Sequence, residues 1–152
     1  MMKIQTAKKE VVAVVTGSSS GIGFETSLLL AKKGFVTYAT MRLEVLKFDV
    51  TDDKSVKEAI ENVANEQERI DVLVNNSGYG LVGPLEELSI EEFKERFETN
   101  VFGVIRVTKS VLPIMRKQRH GIIVNISSIA DRMDFPLTLA YVSSKFALEG
   151  LS

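Results

Sequence analysis

Short apolar runs alternate along the chain with longer stretches in which apolar and polar residues recur with helical spacing. Five runs predict strands, over residues 11–16, 35–40, 43–50, 70–75 and 122–127. Each run is too apolar to face water, which is typical of strands buried on both faces. Strands that alternate with helices in this way predict an α/β fold, a doubly wound parallel sheet with helices on both faces.

The spacing of apolar residues predicts four helices between and after these strands. The first starts near Ile22 and stops before Gly34, and the second covers residues 51–69, where apolar residues form one stripe. The third runs over residues 89–119, and the fourth begins near residue 140 and continues to Ser152.

The third helix opens on a capping box, since Ser89 and Glu92 have the S-x-x-E spacing. Its apolar residues cover more than the single stripe that a helix needs to face a sheet. They are Phe93, Phe97, Val101, Phe102, Val104, Ile105 and Val107. The excess predicts a homo-oligomer that associates through this helix, with burial inside the monomer as the alternative.

Two features indicate an incomplete domain. Only Met41 and Arg42 separate the second and third predicted strands, whereas parallel neighbours need a crossover of about a dozen residues. A strand is ~17 Å long, and two or three extended residues reach only ~7–11 Å. A hairpin is possible in principle, but Met-Arg is a poor turn, so an omitted crossover is favoured. The last helix is also cut at Ser152, and we expect residues 1–152 to be one truncated domain.

The composition excludes several classes of protein. The 152 residues carry a formal net charge of −1, which gives no electrostatic reason to expect nucleic acid or an anionic membrane as partner. No cysteine is present and His120 is the single histidine, so disulfides, thiolate metal sites and multi-histidine metal clusters are excluded. No apolar run approaches the ~20 residues of a membrane span. We expect a cytoplasmic protein with no bound metal, and His120 in a turn before the last strand.

The segment TGSSSGIG, residues 16–23, lies between the first strand and its helix. Gly17, Gly21 and Gly23 allow unusual backbone angles and the close approach of a pyrophosphate to the main chain. The free N–H groups near Ile22 and the dipole of the helix favour an anion there. The alternative is an ordinary turn of glycine and serine.

Tyr141 and Lys145 are spaced i, i+4 on the fourth helix and therefore share a face. Lowering a phenol pKa from ~10 to ~7 takes ~4 kcal/mol, which an ammonium ~4 Å away supplies at an effective dielectric of ~20. The pair could thus transfer a proton, or it could be a packed ring beside a solvated lysine. Ser127 and Ser128 end a strand where open α/β sheets bind ligands; otherwise they are a simple polar strand end.

Six short motifs, taken in this order, resemble the short-chain dehydrogenase/reductase family. They are TGSSSGIG (16–23), DV (49–50), NNSG (75–78), NVFG (100–103), NISS (125–128) and YVSSK (141–145). The resemblance implies a Rossmann-type sheet, a single dinucleotide-binding catalytic domain and a nicotinamide cofactor. By the family's pattern, Tyr141 is the general acid/base and Lys145 lowers the pKa of Tyr141 and holds the nicotinamide ribose. Ser128 then binds the substrate oxygen and Ser127 is its non-catalytic neighbour.

The resemblance also assigns Asn100 and a set of cofactor-binding residues. Asn100 supports a water-linked proton relay to Lys145, unless it is only a polar residue at a helix kink. Asp49 and Val50 hold the adenine ring. The predicted cofactor-binding residues are Gly17, Ser19, Ser20, Gly21, Ile22, Gly23, Arg42, Asp49, Val50, Asn76, Ser77, Gly78, Tyr141 and Lys145.

No acidic residue ends the second strand, where NAD-preferring members of the family tend to have one. Arg42 stands nearby instead, and a guanidinium suits a 2′-phosphate, so NADP is favoured over NAD. A solvated surface charge is the alternative for Arg42.

These observations predict an NADP-dependent oxidoreductase that moves a hydride between nicotinamide and a carbonyl or alcohol carbon. The segments NNSGYGLVGPLEE and KFALEGLS resemble the subset that acts on steroids, retinoids or other lipid-like substrates. A non-catalytic dinucleotide-binding sensor or scaffold is the alternative. A P-loop hydrolase is disfavoured because Phe24 follows Gly23, where that motif needs lysine.

Overall fold

The computed structural model describes residues 10–40, 48–133 and 135–152. Within them, four strands form one sheet: β1 (Val12–Val15), β2 (Val36–Ala39), β3 (Val72–Asn75) and β4 (Ile122–Asn125). Their order is β2-β1-β3-β4, and every pair of neighbours is parallel. The predicted parallel α/β sheet is therefore confirmed.

Helices connect these strands and follow the last one. They are α1 (Gly21–Lys32), α2 (Asp53–Gln67), α3 (Ile90–Phe97), α4 (Gly103–Gln118) and α5 (Leu139–Glu149). A π-helical segment, Glu98–Phe102, joins α3 to α4, and a short 3-10 turn, Ile129–Asp131, follows β4. No helix in the described ranges has the length and hydropathy needed to cross a bilayer.

Both faces of β1 are covered. Val12 and Val14 belong to the main core with residues of α2 and α4, including Ile60 and Val107. Strand side chains alternate between faces, so Ala13 points to the opposite side, where it is also fully buried. Because α1 contacts β1 and β2, helices pack on both faces of the sheet, as the pattern predicts.

The second helix buries the stripe that its spacing predicts. Its buried residues are Val56, Ala59, Ile60 and Val63. Burying each of the three larger side chains stabilises the fold by ~1.5–3 kcal/mol. The Asp52 carboxylate caps the helix by accepting a hydrogen bond from the Ser55 N–H, which satisfies one of the free donors of the first turn.

The capping box at the start of α3 is confirmed. The Ser89 N–H donates to Glu92 Oε2 over 2.8 Å, and the Glu92 N–H donates to Ser89 Oγ over 3.2 Å. At the far end of α4, Arg119 is left-handed with φ +57°, which ends the helix. The exposed His120 then precedes β4, as expected.

Three predicted elements differ from the structure. The single helix predicted over residues 89–119 is divided into α3, a π-helical segment and α4. Of the strand predicted over residues 43–50, residues 48–50 form a loop and a turn, and residues 43–47 lie outside the described ranges. This agrees with the steric limit that a two-residue connection cannot return a strand parallel to β2. The last helix ends at Glu149 instead of continuing to Ser152, because the Leu151 and Ser152 N–H groups bond three residues back in a tighter turn.

The strand order creates a crevice at one edge of the sheet. The chain leaves β1 through α1 toward β2, whereas β3 lies on the other side of β1. Ligands of open α/β sheets bind at such a reversal, beyond the carboxyl ends of the strands. The segments after β1 and β3 therefore define where a ligand would bind.

Candidate active site

The segments that follow β1 and β3 are tied together by hydrogen bonds. The N–H groups of Asn76 and Ser77 donate to Thr16 Oγ1 over 2.9 and 3.0 Å. The Asn76 side-chain amide in turn donates to the carbonyls of Thr16 and Gly17 over 3.0 and 2.9 Å. We call residues 16–23 with residues 76–78 the cradle, because these bonds make them one rigid unit.

Glycine is required in the cradle for space as well as for conformation. Gly17 has φ +64°, and a Cβ there would lie 2.8 Å from Ser77 Cα. A Cβ at Gly23 would lie 2.5 Å from the Gly17 carbonyl oxygen. Gly21 has open space around it, so its requirement is the φ of +58°. The three predicted glycines are therefore required for two structural reasons: lack of space at Gly17 and Gly23, and a positive φ at Gly17 and Gly21.

The start of α1 is open and carries unpaired donors. Ser19, Ser20, Gly21 and Ile22 are exposed. The Ser20 side chain forms no capping hydrogen bond, and the first turn contains no acidic residue. Free N–H groups and the helix dipole together favour an anion at this position. The structure thus leaves room and donors for a phosphate where the sequence predicts one.

Thr40 is a cradle contact that the sequence analysis missed. The Gly17 N–H donates to Thr40 Oγ1, and the Ser18 N–H donates to the Thr40 carbonyl, both over 2.9 Å. A threonine directly after an apolar strand was the available signal. Arg42, predicted to bind a 2′-phosphate, lies outside the described residues.

Asp49 lines a cavity of about 560 Å³, and the buried Val50 follows it in the chain. The Thr51 N–H and hydroxyl donate to Asp49 Oδ1 over 2.8 and 2.7 Å. These bonds, and more weakly the charge of Arg106, lower the pKa of Asp49 from its ordinary value. The cavity is lined by Asp49, Thr51, Tyr79, Glu95, Glu98 and Thr99.

Asn100 lies in the π-helical segment, and its side chain is 1% exposed. Its Oδ1 accepts a hydrogen bond from the Tyr79 N–H over 3.1 Å, and its Nδ2 donates to the Tyr79 carbonyl over 3.2 Å. Nδ2 also donates to Ser144 Oγ over 2.9 Å. Asn100 is thus at a helix irregularity and also joins three elements; such irregularities are frequent at functional sites.

Tyr141, Ser144 and Lys145 extend this network from α5. Ser144 Oγ donates to the Tyr141 carbonyl, and Lys145 Nζ donates to the Ile126 carbonyl beyond β4, both over 2.7 Å. Lys145 Nζ lies 5.8 Å from the centroid of the Tyr141 ring. Lys145 is only 6% exposed, so it is not the solvated lysine of the alternative interpretation. We call these three residues with Asn100 the Asn100 cluster.

Gly78 brings the cradle and the Asn100 cluster into contact. A Cβ on Gly78 would lie 3.1 Å from Asn100 Oδ1 and 3.9 Å from Lys145 Nζ. Residues 76–78 therefore bond to the glycine-rich turn and also lie near Asn100 and Lys145. The two groups of motifs, far apart in the sequence, are neighbours in the fold.

The two serines after β4 differ in their bonding. Ser128 Oγ accepts a hydrogen bond from the Ala130 N–H over 3.2 Å, which leaves its proton free to donate. Ser127 Oγ is buried and has no hydrogen-bond partner among the described residues. Both residues are half-buried.

Two further residues of this site, Ser144 and Arg96, were not predicted from the sequence. Ser144 lies in the YVSSK motif, in which only Tyr141 and Lys145 were predicted to have roles. Arg96 is 4% exposed and stacks on the Tyr79 ring, with its Cζ 3.5 Å from the ring centroid. No local pattern pairs residues 79 and 96, so only the fold could show this contact.

Comparison with known proteins agrees with the geometry. The family model for short chain dehydrogenases matches residues 11–152. The 3-ketodihydrosphingosine reductase of Bacteroides thetaiotaomicron is 44% identical over 149 residues, covering 93% of this chain and 55% of that protein. Human retinol dehydrogenase 8 is 41% identical over 159 residues, covering 90% of this chain and 50% of that protein.

A solved structure shows that the similarity extends to the fold. The actinorhodin polyketide ketoreductase with NADPH has a TM-score of 0.90 and 32% identity, covering 95% of this chain and 63% of that one. The chain spans about half the length of the curated relatives it matches. With the parallel sheet, the cradle and the ordered motifs, these similarities show that the chain belongs to the short chain dehydrogenase family.

Proposed function

We propose that the protein containing this chain is an NADP-dependent oxidoreductase. It transfers a hydride between nicotinamide and the carbonyl or alcohol carbon of a small or lipid-like substrate. The observation that supports this best is the closeness of Gly78 to Asn100 and Lys145, because residues proposed to bind the cofactor then adjoin residues proposed to move the proton.

The cradle fits a dinucleotide. Any side chain at Gly17 or Gly23 would collide with neighbouring backbone, and such tight, side-chain-free turns let a pyrophosphate approach the main chain. The open N–H groups at the start of α1, with Ser19 and Ser20, would hold the phosphates. Asp49 and Val50 would hold the adenine ring, and Asn76, Ser77 and Gly78 would line the cofactor. When bound, nicotinamide supplies or accepts the hydride.

Tyr141 and Lys145 are proposed to handle the proton. Lys145 Nζ is held by its bond to the Ile126 carbonyl and lies 5.8 Å from the centroid of the Tyr141 ring, so its positive charge is near the ring whose hydroxyl is proposed to move the proton. Tyr141 gives a proton to the substrate oxygen in reduction and takes it back in oxidation. Lys145 would also contact the ribose next to the nicotinamide.

Ser128 and Asn100 complete the proposed catalytic set. Ser128 has a free hydroxyl proton with which to bind the substrate oxygen, since the Ala130 N–H already occupies one acceptor position. Asn100 supports the relay of protons toward Lys145 and, through Ser144, fixes the backbone at Tyr141. Ser127 takes no part in the reaction in this proposal.

The choice of NADP over NAD rests on Arg42 and on the absence of an acidic residue at the end of β2. The similar polyketide ketoreductase is described with NADPH, which supports the same choice. A guanidinium can bind a 2′-phosphate through two parallel hydrogen bonds.

A lipid-like ketone or alcohol is the proposed substrate class. Two similar proteins are named for such compounds, a 3-ketodihydrosphingosine reductase and a retinol dehydrogenase. The NNSGYGLVGPLEE and KFALEGLS segments point to the same subset of the family.

We also propose that residues 1–152 form part of one catalytic domain that associates through the long helical region starting near Ser89, which comprises α3, the π-helical segment and α4. Of the apolar residues of this region, Val101, Val104 and Val107 are buried within the chain, which accounts for part of the excess. Phe102 is 50% exposed and would be covered in a dimer. A monomeric mass by light scattering at micromolar concentration would contradict this association.

A direct assay tests the proposed function. The full-length protein is mixed with NADPH and a long-chain ketone, and loss of NADPH absorbance is followed, with NADH as the comparison. We expect turnover, and faster turnover with NADPH at subsaturating concentration. Tight binding of NADPH without reduction of any carbonyl, and without oxidation of any alcohol when NADP⁺ is supplied, would favour the sensor instead.

A further inference from the structure

Arg106 joins three parts of the molecule near the cavity that Asp49 lines. Its side chain is 18% exposed. Its Nη1 donates to the Val50 carbonyl over 2.7 Å, and its Nη2 donates to the Glu98 carboxylate over 2.6 Å. Its Nε pairs with the Asp53 carboxylate. One side chain of α4 thus holds the start of α2 and the π-helical segment.

Val50 is fixed from both sides by α4. Its side chain is 8% exposed and packs against Gly103, where a Cβ would lie 3.0 Å from Val50 Cγ2. Its carbonyl is held by Arg106. The backbone at residues 49–50 therefore has its position set by the first turns of α4, and not only by its own turn.

The same guanidinium also sets the wall of the cavity opposite Asp49. Glu98 lines that cavity, and its carboxylate is half of an ion pair with Arg106. Without Arg106, the Glu98 carboxylate would lose its ion-pair partner and the Asp49 carboxylate would lose a stabilising positive charge. The positions of both walls and their charge balance therefore depend on one residue.

We infer that Arg106 is a positioning residue for the adenine end of the cofactor. It acts through the Val50 carbonyl and Glu98, which shape the cavity beside Asp49, and does not itself touch the base. The inference rests on the proposed function, in which Asp49 and Val50 hold the adenine ring. It goes beyond that function because it names a residue whose loss weakens binding of the adenine half of the dinucleotide and leaves binding of the nicotinamide half unchanged.

A purely structural role for Arg106 predicts something different. If Arg106 only held α2 against α4, its replacement would lower the stability of the whole fold. It would then weaken the binding of every ligand at the site to the same extent. A positioning role predicts selective loss. Two small probes separate these outcomes: adenosine monophosphate for the adenine half, and nicotinamide mononucleotide for the other half.

The experiment measures binding of both probes and of NADPH to the full-length protein by titration calorimetry. Arg106→Met removes the guanidinium and keeps the length of the side chain. Arg106→Lys keeps the charge but cannot reach the Val50 carbonyl and two carboxylates together. Arg116→Met is the matched control, because Arg116 is an exposed arginine on the same helix.

For Arg106→Met we expect adenosine monophosphate and NADPH to bind about tenfold more weakly, the size expected for loss of a charge-assisted hydrogen bond. Nicotinamide mononucleotide should bind as in the parent, and turnover at saturating NADPH should be unchanged. Arg106→Lys should show a smaller loss in the same direction, and it keeps the test decisive if the methionine variant does not fold. Arg116→Met should match the parent with every ligand.

Two outcomes overturn the inference. If Arg106→Lys weakens both mononucleotides equally, or neither, while the parent binds both, Arg106 is a structural brace and the proposed function still stands. If the parent binds neither adenosine monophosphate nor NADPH, the proposed function fails, and the inference fails with it.

Discussion

The cradle and the Asn100 cluster meet at Gly78, but they are built in opposite ways. The cradle depends on backbone groups and on missing side chains, as at Gly17 and Gly23, where a single methyl group would collide with the main chain. The cluster depends on side chains that bond across the fold, such as Asn100 to Ser144 over 44 positions of sequence. The cradle should therefore be sensitive to added volume, and the cluster to lost chemical groups.

The largest effect should come from Lys145→Met, since Lys145 serves both regions. The change removes the charge beside Tyr141 and the proposed ribose contact, and it leaves the Ile126 carbonyl without its donor. We expect turnover to fall by at least the ~10²–10⁴ typical of losing general acid–base catalysis, together with weaker NADPH binding. Steady-state kinetics and fluorescence titration measure the two losses.

The exposed Lys109 on α4 provides the control for that change, as Lys109→Met removes the same charge far from Gly78. This control variant should leave turnover and NADPH affinity unchanged. If Lys145→Met left NADPH affinity unaltered, Lys145 would not contribute to cofactor binding, and the proposal that it serves both regions would be wrong.

Added volume in the cradle should have the next largest effect. In Gly23→Ala the new Cβ meets the Gly17 carbonyl oxygen and the Asn76 amide, so the turn must shift. We expect a stability loss of ~1–3 kcal/mol and weaker NADPH binding, with turnover at saturating NADPH less affected. Thermal unfolding and titration test this.

Gly80→Ala is the matched variant, because nothing lies within 4 Å of a Cβ at Gly80. Its stability should stay within ~0.5 kcal/mol of the parent. Equal losses in Gly80→Ala and Gly23→Ala would mean that volume in the cradle is not the cause.

The neighbouring serines test chemistry at nearly constant volume. Ser128→Ala should lower turnover with little change in NADPH affinity, because it removes the proposed donor to the substrate oxygen. Ser127→Ala should leave turnover nearly unchanged and stability equal or slightly higher, since the Ser127 hydroxyl is buried without a described partner and costs free energy there. Turnover that falls more in Ser127→Ala than in Ser128→Ala would reverse the assignment of the pair.

The smallest effect concerns Asp71, at the opposite end of the strands from both regions. Burial raises the pKa of Asp71, but hydrogen bonds from Arg69 and the Val12 N–H, with the charge of Arg69, outweigh it and lower the pKa below its ordinary value. A carboxylate with a depressed folded-state pKa stabilises the fold above its unfolded pKa, and this stability is lost as pH falls through the folded pKa.

Unfolding by denaturant between neutral pH and about pH 3 measures this contribution, with ~3.9 as the ordinary pKa of aspartate. Asp71→Asn should flatten the acid part of the stability profile and leave NADPH affinity and turnover at neutral pH unchanged. A steeper acid loss in the variant than in the parent would contradict the direction of the Asp71 pKa shift.

How much the sequence could predict differs between the two regions for a physical reason. The glycine-rich turn of the cradle is local in the chain, so the spacing of Gly17, Gly21 and Gly23 was sufficient to predict it. Thr40 was missed because it reaches the turn from the next strand. The cluster is built from distant residues, and the π-helical irregularity around Asn100 has no signature in the apolar spacing of the long helix.

Of the strand predicted over residues 43–50, the structure describes only residues 48–50. The run LEVLKFDV has strand composition, yet residues 48–50 pair with no strand of the described sheet. A strand requires a partner as well as a propensity, and a two-residue connection cannot supply a parallel one. The predicted omission of a crossover after residue 42 stays a prediction.

The central claim, that Tyr141 transfers a proton beside an intact cofactor cradle, is tested most directly by Tyr141→Phe in the full-length protein. This change keeps the ring and removes only the hydroxyl, so the cradle and the bond from Ser144 to the carbonyl of residue 141 persist. We predict NADPH affinity equal to that of the parent and turnover lower by ~10²–10⁴. Near-normal reduction of any carbonyl that the parent reduces would contradict the account.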